Sequence, residues 1–472
     1  MIGLLHTALQ ILIKLRAYPI MQNSEIEKWL ANYPDIKNVR AVTFDINGIM
    51  RGKRLPITQL QKAVDGELRI PLSSANLDIW GRDIANSKWV FESGDADGGS
   101  CWTGRGPLPM TWTDQNAAMV PLTLTYNDGQ PFDGDPRNVL AAVLEKFAVR
   151  GLHPVAAFEM EFYLADPTLH DRSPPEVVVA PLTGAVNIRD GVLSVDDLND
   201  YDTLLNDIYD CCSVQNVAAE AAISEAGSGQ FEINLSHGSD CLKVADDAVF
   251  FKQIIKGVAR KHALAGSFMA KPYADRPGNG MHVHLSILNR EGQNIFDDNS
   301  DKGSRLMQHA VAGLLASLPE SMLIFAPHNN SYRRFAIESH APTAACWGYE
   351  NRTAALRIPL GDPQNRRIEH RVAGADANPY LLLAEFLAGV LAGFDEAKAP
   401  PPALEGSAYD AVLPTLPTKW QAAQDCFKKA AALGDLLPAV FRQMMLDCKA
   451  QEMLRFAGDI STFEYQSYLD QM

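Results

Sequence analysis

The run "AFEMEFYL", Ala157 to Leu164, places two acids two residues apart in a stretch that is otherwise apolar or aromatic. Phe158, Phe162 and Tyr163 give it strand character, and along a strand the period of two puts Glu159 and Glu161 on one face. Their Cβ atoms then stand about 6.5–7 Å apart, at about 3.3 Å of rise per residue. Two poorly hydrated carboxylates at that spacing repel each other and lose solvation, so they require a cation, a shared proton or open water. Any fold for this chain has to supply one of the three.

More acids and imidazoles occur in similar settings. "EAGSGQFEINL" brings Glu225 and Glu232 around a Gly-rich turn, "GNGMHVHLS" puts His282 and His284 on one strand face, and "RIEHR" sets Glu369 between Arg367 and Arg371. Each alone reads as a solvent-facing carboxylate of an antiparallel sheet or a hydrogen-bonded histidine. Together, five glutamates with imidazole form a set of hard donors that suits Mg2+ or Mn2+ better than zinc. A two-metal cluster with ions about 3.5–4 Å apart would take Glu159 and Glu161 on neighbouring ions and remove their repulsion. "NNSYRRF" adds Arg333 and Arg334, and "ENRTAALRIP" adds Arg352 and Arg357. Guanidinium forks match phosphate and carboxylate oxygens, so arginines beside divalent ions point to phosphoryl transfer with an acidic substrate. Surface ion pairing remains the plain reading of Arg333 and Arg367. The chain has no GxxxxGK[ST] loop, no strand-GxGxxG-helix unit and no GxSxG elbow.

The first part of the chain is rich in strand-like runs: "VRAVTFDING", "MRGKRLPI", "KWVFES" and "AAMVPLTLTYNDG". "DING" and "YNDG" supply tight-turn chemistry. A helix is expected in "DGDPRNVLAAVLEKFAVRG", with Asp135 as cap, Pro136 at its first position and Gly151 as its stop. The domain boundary is placed there: an N-terminal extension 1–22, an N-terminal domain 23–135 and a catalytic domain 136–472. Beyond it, strands "HPVAAFEMEFYL", "GQFEINL", "MHVHLSIL" and "AALRIPL" alternate with helices "DDAVFFKQIIKGVARKHAL", "RLMQHAVAGLLASL" and "NPYLLLAEFLAGVLAG". The last helix is capped by Asn378, and "AKAPPPALEGSAYD" reads as a surface loop. The fold class is α+β.

A net charge of −15 argues against a nucleic-acid partner and favours cationic ligands. Seven cysteines without CxxC pairs suit a reducing cytoplasm. Lys14 and Arg16 interrupt the apolar N-terminal stretch, which is read as an upstream extension with Met21 as an alternative start rather than a targeting segment. No run spans a membrane.

The motifs "FEMEF", "GSGQFEINL", "GNGMHVHLS", "NNSYRRF", "ENRTAALRIP" and "RIEHRVAGADANPYL", in this order, resemble the glutamine synthetase family from about residue 23 to the C-terminus. The resemblance implies a small β-grasp N-terminal domain, a large catalytic domain whose sheet forms a partial barrel, and a homo-oligomer, a dodecamer of two hexameric rings. It assigns Glu161, Glu225 and Glu232 to one metal and Glu159, His282 and Glu369 to the other. Arg352 and Arg357, with His284 and Ser286, correspond to ATP contacts; Arg334 and Arg371 handle the transferred phosphate and the substrate carboxylate, and Gly278 meets the glutamate amino group. The implied chemistry is ATP-dependent formation of γ-glutamyl phosphate, followed by attack of an amine.

Two positions depart from glutamine synthetases, which select ammonium with two acids. In the flap "YRRFAIESHAP", His340 stands where one acid belongs, and Glu338 restores it only under a shifted alignment; in "IPLSSANLDIWG", Pro71 or Leu72 stands where the other belongs. A site that loses these acids but keeps its metal and phosphate groups is expected to activate glutamate for a larger nucleophile, as in the γ-glutamylpolyamine (γ-glutamylputrescine) and γ-glutamylmonoamine synthetase branch. His340 could take the amine proton, since a free imidazole titrates near neutrality, or could only shape the entrance. A diamine's second ammonium would need an anionic wall, with Asp78, Asp83, Glu92, Asp95 and Asp97 as candidates. The alternatives are an ammonium-using glutamine synthetase, a non-catalytic structural member of the family, and a glycosidase built on Glu159 and Glu161, which leaves the arginines and histidines without a role.

Overall fold

The Asn47-Gly48 turn closes the first hairpin, its glycine at φ +71°, and joins β1 (Asn38–Phe44) to β2 (Met50–Pro56). A computed structural model describes residues 19–113, 116–168, 178, 182, 184, 191–336, 339–431 and 433–472; residues 1–18 of the expected N-terminal extension, and Glu338, lie outside the described residues. The first sheet adds β3 (Ile70–Pro71), β4 (Asp97–Trp102), β5 (Leu108–Met110) and β6 (Ala117–Thr125), in the order β2-β1-β6-β4-β3, with β5 also on β6. The β1–β6 pair is parallel. Helices α1 (Asn23–Asn32) and α2 (Leu60–Val64) accompany it.

One strand-like run is not a strand. Residues 88–93, "KWVFES", form successive turns in which Val90 and Phe91 N–H donate to Ser87 O. Trp89 anchors them, its ring 4.9 Å from that of Phe132, while Phe91 is exposed. Tertiary packing on one residue overrides β propensity here. In the reverse direction, Gly-rich "DGGSCW" becomes β4 because β6 pairs with it from Leu122 to Thr125.

The helix after the first sheet, α3 (Pro136–Val149), starts where its signals lie: the Asp135 side chain accepts from Arg137 N and Asn138 N. The second sheet runs β12 (Trp347–Tyr349), β13 (Leu356–Ile358), β14 (Ile368–His370), β11 (Met281–Leu288), β7 (His153–Ala165), β9 (Gln230–Leu235), β8 (Ala219–Ser224), with β10 (Ala265–Ser267) on β7. With this eight-stranded sheet come the long helices α6 (Cys241–Lys261), α7 (Arg305–Phe325) and α8 (Pro379–Glu396), after the smaller α4 (Val195–Asp200) and α5 (Asp202–Val214). The chain ends in α9 (Trp420–Lys429), α10 (Ala439–Ala457) and α11 (Thr462–Tyr468). Asn378 caps α8 by accepting from Tyr380 N, and its Nδ2 donates to Asp45 O in the first hairpin.

Along β7, Pro154, Ala156, Phe158, Met160 and Phe162 are buried, while Val155, Ala157, Glu159 and Glu161 are half-buried. Apolar positions face the helices and the acids face the opposite side, as the period of two requires. The two sheets are joined through a buried ionic network: Arg105 and Arg137 pair with Asp246 and Asp247 of α6, and Tyr380 Oη donates to Asp246 Oδ1 at 2.7 Å. Among the described residues, no helix is long and apolar enough to cross a membrane.

Candidate active site

Strand register assembles the site. Glu159 stands opposite His282 on β11 and Asn234 on β9, and Glu161 stands opposite Glu232. His284 stands opposite Glu369 of β14, which stands opposite Arg357 of β13. Because directly opposed residues share a face, five strands deliver their polar side chains to one surface.

Two sets of ligand atoms converge there, each within 4.8 Å of one another among the described residues: Glu159, His282 and Glu369, and Glu161, Glu232 and His282. The first is the trio expected for one metal. The second contains Glu161 and Glu232 but not Glu225, which leaves the sheet on the turn after β8, its N–H donating to Gln230 O at 2.9 Å. His282 Nδ1 lies 3.5 Å from Glu159 Oε2 and 4.0 Å from Glu369 Oε1; His284 Nε2 lies 2.9 Å from Glu159 Oε1.

The two halves differ in charge balance. Burial works against the Glu159 charge, but hydrogen bonds from His282 and His284 overcome it and hold the carboxyl well below the usual range. Glu369 is likewise kept low against its burial, by Arg371, the two histidines and Arg357, whose Nη1 donates to Glu369 Oε2 at 2.7 Å. On the other side the cations are outweighed: Arg371 lowers Glu232, and Arg352 with Arg371 lowers Glu225, but burial and the neighbouring acids prevail. Burial and then Glu161, Glu159 and Glu225 push Glu232 up to about 9, and burial with Glu161 pushes Glu225 up to about 7. Of the opening pair, Glu159 is therefore held ionised by the two histidines rather than by a proton shared with Glu161, and an oxygen-rich donor set of this kind fits a hard divalent cation.

The arginines take distinct places. Arg334 is buried in the segment after α7; its Nη1 donates to Val372 O at 2.7 Å. Arg371 is buried, pairs with Glu369, and donates from Nε to Arg352 O at 3.2 Å. Arg352 itself is exposed on the β12–β13 turn, and His340 is exposed on the flap with φ +56°, so neither is locked to the carboxylates. Arg367 is not a plain surface ion pair, because its Nε donates to His284 Nδ1 at 3.2 Å. His284 and Ser286 line a cavity of about 800 Å3 that reaches Glu159 and extends past Asn234, Ser239 and Asn365.

Gln230 and Gly280 are site-shaping residues that motif reading passed over. Gln230 Nε2 donates to Gly278 O at 3.0 Å and Asn279 Oδ1 at 3.1 Å, and Gly280 N–H donates to Glu161 Oε2 at 2.8 Å. Gln230 was findable, since it sits two residues before Glu232 and shares its face. A Cβ on Gly278 would lie 2.5 Å from Ala270 O, so the close backbone approach there needs glycine. Among the acids considered for an amine wall, Asp78 is buried and committed to its own turn: Oδ1 accepts from Trp80 N and Arg82 N, and Oδ2 from Gln451 Nε2. Asp83, Glu92, Asp95 and Asp97 are exposed.

Comparison with known proteins agrees with this geometry. The family profile described as glutamine synthetase, catalytic domain, matches residues 133–468. The chain is 38% identical over 443 residues to a γ-glutamylputrescine synthetase of Escherichia coli strain K12, covering 94% of this chain and 93% of the relative. It is 32% identical over 392 residues to a glutamine synthetase of Pyrococcus abyssi, covering 83% and 82%. A solved structure described as a GmaS/ADP complex superposes with a TM-score of 0.79 at 24% identity, covering 94% of this chain and 99% of that one, and shows the same fold.

Proposed function

The chain belongs to the glutamine synthetase family, and on that premise we propose that it joins the γ-carboxylate of glutamate to an organic amine, with cleavage of ATP to ADP and phosphate. The observation that carries this reading is the convergence of Glu159, Glu161, Glu232, Glu369 and His282 beside buried arginines, in a chain that carries His340 and Pro71 or Leu72 where the family resemblance expects the two ammonium-selecting acids. Leu72 is buried and apolar, Pro71 carries no charge, and His340 occupies the flap position. The 38% identity to a γ-glutamylputrescine synthetase supports the amine over ammonium. The converging donors also disfavour a non-catalytic role.

ATP is assigned to the cavity that His284, Ser286 and Arg367 line, and Arg352 and Arg357, which lie outside that lining, are the family's counterparts for its phosphates. Two divalent cations, Mg2+ or Mn2+, held by Glu161, Glu225 and Glu232 and by Glu159, His282 and Glu369, would supply positive charge against the phosphate oxygens. Arg371, fixed by Glu369, takes the substrate α-carboxylate, and Gly278 presents backbone to the amino group. A γ-carboxylate oxygen bonds to the γ-phosphorus as the bond to the bridging oxygen breaks and ADP leaves. Arg334, which cannot swing away because Val372 O holds it, stabilises the charge on the transferring phosphoryl group. The amine nitrogen then bonds to the acyl carbon, its proton passes to His340, and the bond to phosphate breaks.

We further place the domain division near residue 135. The cytoplasm suits the seven free cysteines. A homo-oligomer, the family's dodecamer, would cover the apolar side chains exposed at the C-terminus, including Leu454, Phe463, Leu469 and Met472. The deciding experiment is phosphate release from ATP with glutamate and Mg2+, comparing ammonium with putrescine, spermidine, ethanolamine and a monoamine panel. An amine well above ammonium is the expected result; ammonium equal to the best amine makes this an ordinary glutamine synthetase.

A further inference from the structure

The proline-rich segment after α8, read from sequence as a surface loop, is exposed but not loose. Every residue from 401 to 415 is at least partly exposed, and Leu416 is buried. Beneath its first part lies a cleft of about 1000 Å3, bordered by Trp347, Tyr349 and Arg352. Apolar packing therefore does little to hold this segment, and directional bonds do it instead.

Those bonds fall on two functional neighbours. At the β12–β13 turn, Leu404 N–H donates to Trp347 O at 2.8 Å, and Asn351 Nδ2 donates to Gly406 O at 2.7 Å. Asn351 Oδ1 accepts from Thr353 N (3.0 Å) and Thr353 Oγ1 (2.7 Å), while Thr353 Oγ1 accepts from Ala408 N at 2.9 Å. Asn351 and Thr353 flank Arg352, whose carbonyl is the acceptor for Arg371. At the flap, Tyr409 Oη donates to Ala341 O at 3.4 Å, Ala345 N–H to Pro414 O at 2.8 Å, and Leu416 N–H to Thr343 O at 2.9 Å. Burial holds the Tyr409 hydroxyl above the usual phenol range against the charges of Arg334 and Arg371, which places it on the site side of the segment.

We propose that residues 401–416 are a strap that sets Arg352 and keeps the flap down on the acceptor side, with Asn351, Thr353 and Tyr409 as its positioning residues. The inference rests on the amine-ligase reading. Its chemical consequence is protection of the acyl phosphate. If the strap loosens, a water oxygen bonds to the acyl carbon, the bond to phosphate breaks, and glutamate and phosphate leave without amide. Misplacing Arg352 also slows phosphoryl transfer, since small displacements of a positioned group cost large factors in rate.

The test uses the full-length protein with ATP, glutamate, Mg2+ and the best amine of the panel, and measures phosphate and γ-glutamyl amide in the same reaction, with melting temperature alongside. Wild type should give one phosphate per amide. Asn351→Ala, Thr353→Val and Tyr409→Phe should raise that ratio severalfold, and the first two should lower amide-forming kcat about tenfold, whereas Thr353→Ser, which keeps the hydroxyl, should match wild type. Tyr409→Phe removes one oxygen and keeps the proposal open to refutation if a larger change unfolds the protein. Folded variants with a ratio of one and unchanged kcat overturn it, as does loss of activity that tracks melting temperature alone. A wild type that runs on ammonium refutes the amine reading separately, because the same ratio is then measured with glutamine as product.

Discussion

Glu161 of β7 and Glu232 of β9 stand directly opposite each other across an antiparallel pair, with Glu232 buried and pushed up to about 9. Burying like charges against each other in this way is unfavourable unless something positive sits between them. The energetic consequences of that pair are measurable.

Divalent ion binding should stabilise the fold. At about 100 times its dissociation constant, Mn2+ is expected to add about 2.7 kcal/mol, raising the melting temperature and reversing with chelator. Glu232→Gln should weaken Mn2+ binding about 10–100-fold and remove between about half and most of that shift. Calorimetric titration checks it; an undiminished shift in the variant would remove Glu232 from the ligand set.

Gly280 keeps the centre of the site open. An added Cβ would lie 2.8 Å from Arg334 Nη2, 3.1 Å from His282 Nε2 and 3.2 Å from Glu161 Oε1. Gly280→Ala should therefore leave the chain folded but displace all three groups, lowering Mn2+ affinity and turnover about tenfold or more. Wild-type affinity in a folded variant would contradict the crowding.

His340 is best tested with asparagine, which tolerates the left-handed backbone at φ +56° but cannot act as a base near neutrality. His340→Asn should lower amide formation about 10²–10⁴-fold at neutral pH, with recovery as pH rises and the amine loses its own proton. Hydroxylamine, already neutral at pH 7, should keep its rate. Equal losses with both nucleophiles would make His340 a wall of the entrance rather than a base.

Glu385 on α8 predicts a pH effect away from the site. Among the described residues its Oε1 has no hydrogen-bond partner, Ser321 Oγ is 3.5 Å from Oε2, and burial pushes the carboxyl up to about 8. An unfolded glutamate ionises near about 4.3, so between that pH and about 8 the native state holds a proton the unfolded state has lost. This contribution is fully present below the unfolded pKa and is lost as pH rises toward 8. Glu385→Gln should match wild type at pH 5 and exceed its stability by about 1–3 kcal/mol at pH 9. Parallel melting curves from pH 5 to 9 would exclude it.

Much of the site was legible because strand periodicity is local. Glu159 with Glu161 and His282 with His284 could be put on shared faces from their spacing alone, and the caps Asp135 and Asn378 were readable from the residues that follow them. Less legible were features in which one segment depends on another far along the chain. "KWVFES" failed as a strand because Trp89 packs on Phe132, and "DGGSCW" became a strand only because β6 lies beside it. The strap over the flap has no local signal either, since Asn351 and Gly406 meet only in the folded chain.

The sequence by itself determined which donors this protein has and which of them share a face, because side-chain direction follows from backbone period over a few residues. Only the tertiary structure decided that β14, β11, β7 and β9 lie side by side in a register that sets Glu369, His282, Glu159 and Glu232 around one centre. That register joins residues from about 70 to 135 positions apart, and it is fixed because a one-residue slip would turn the buried apolar face of each strand to the other side.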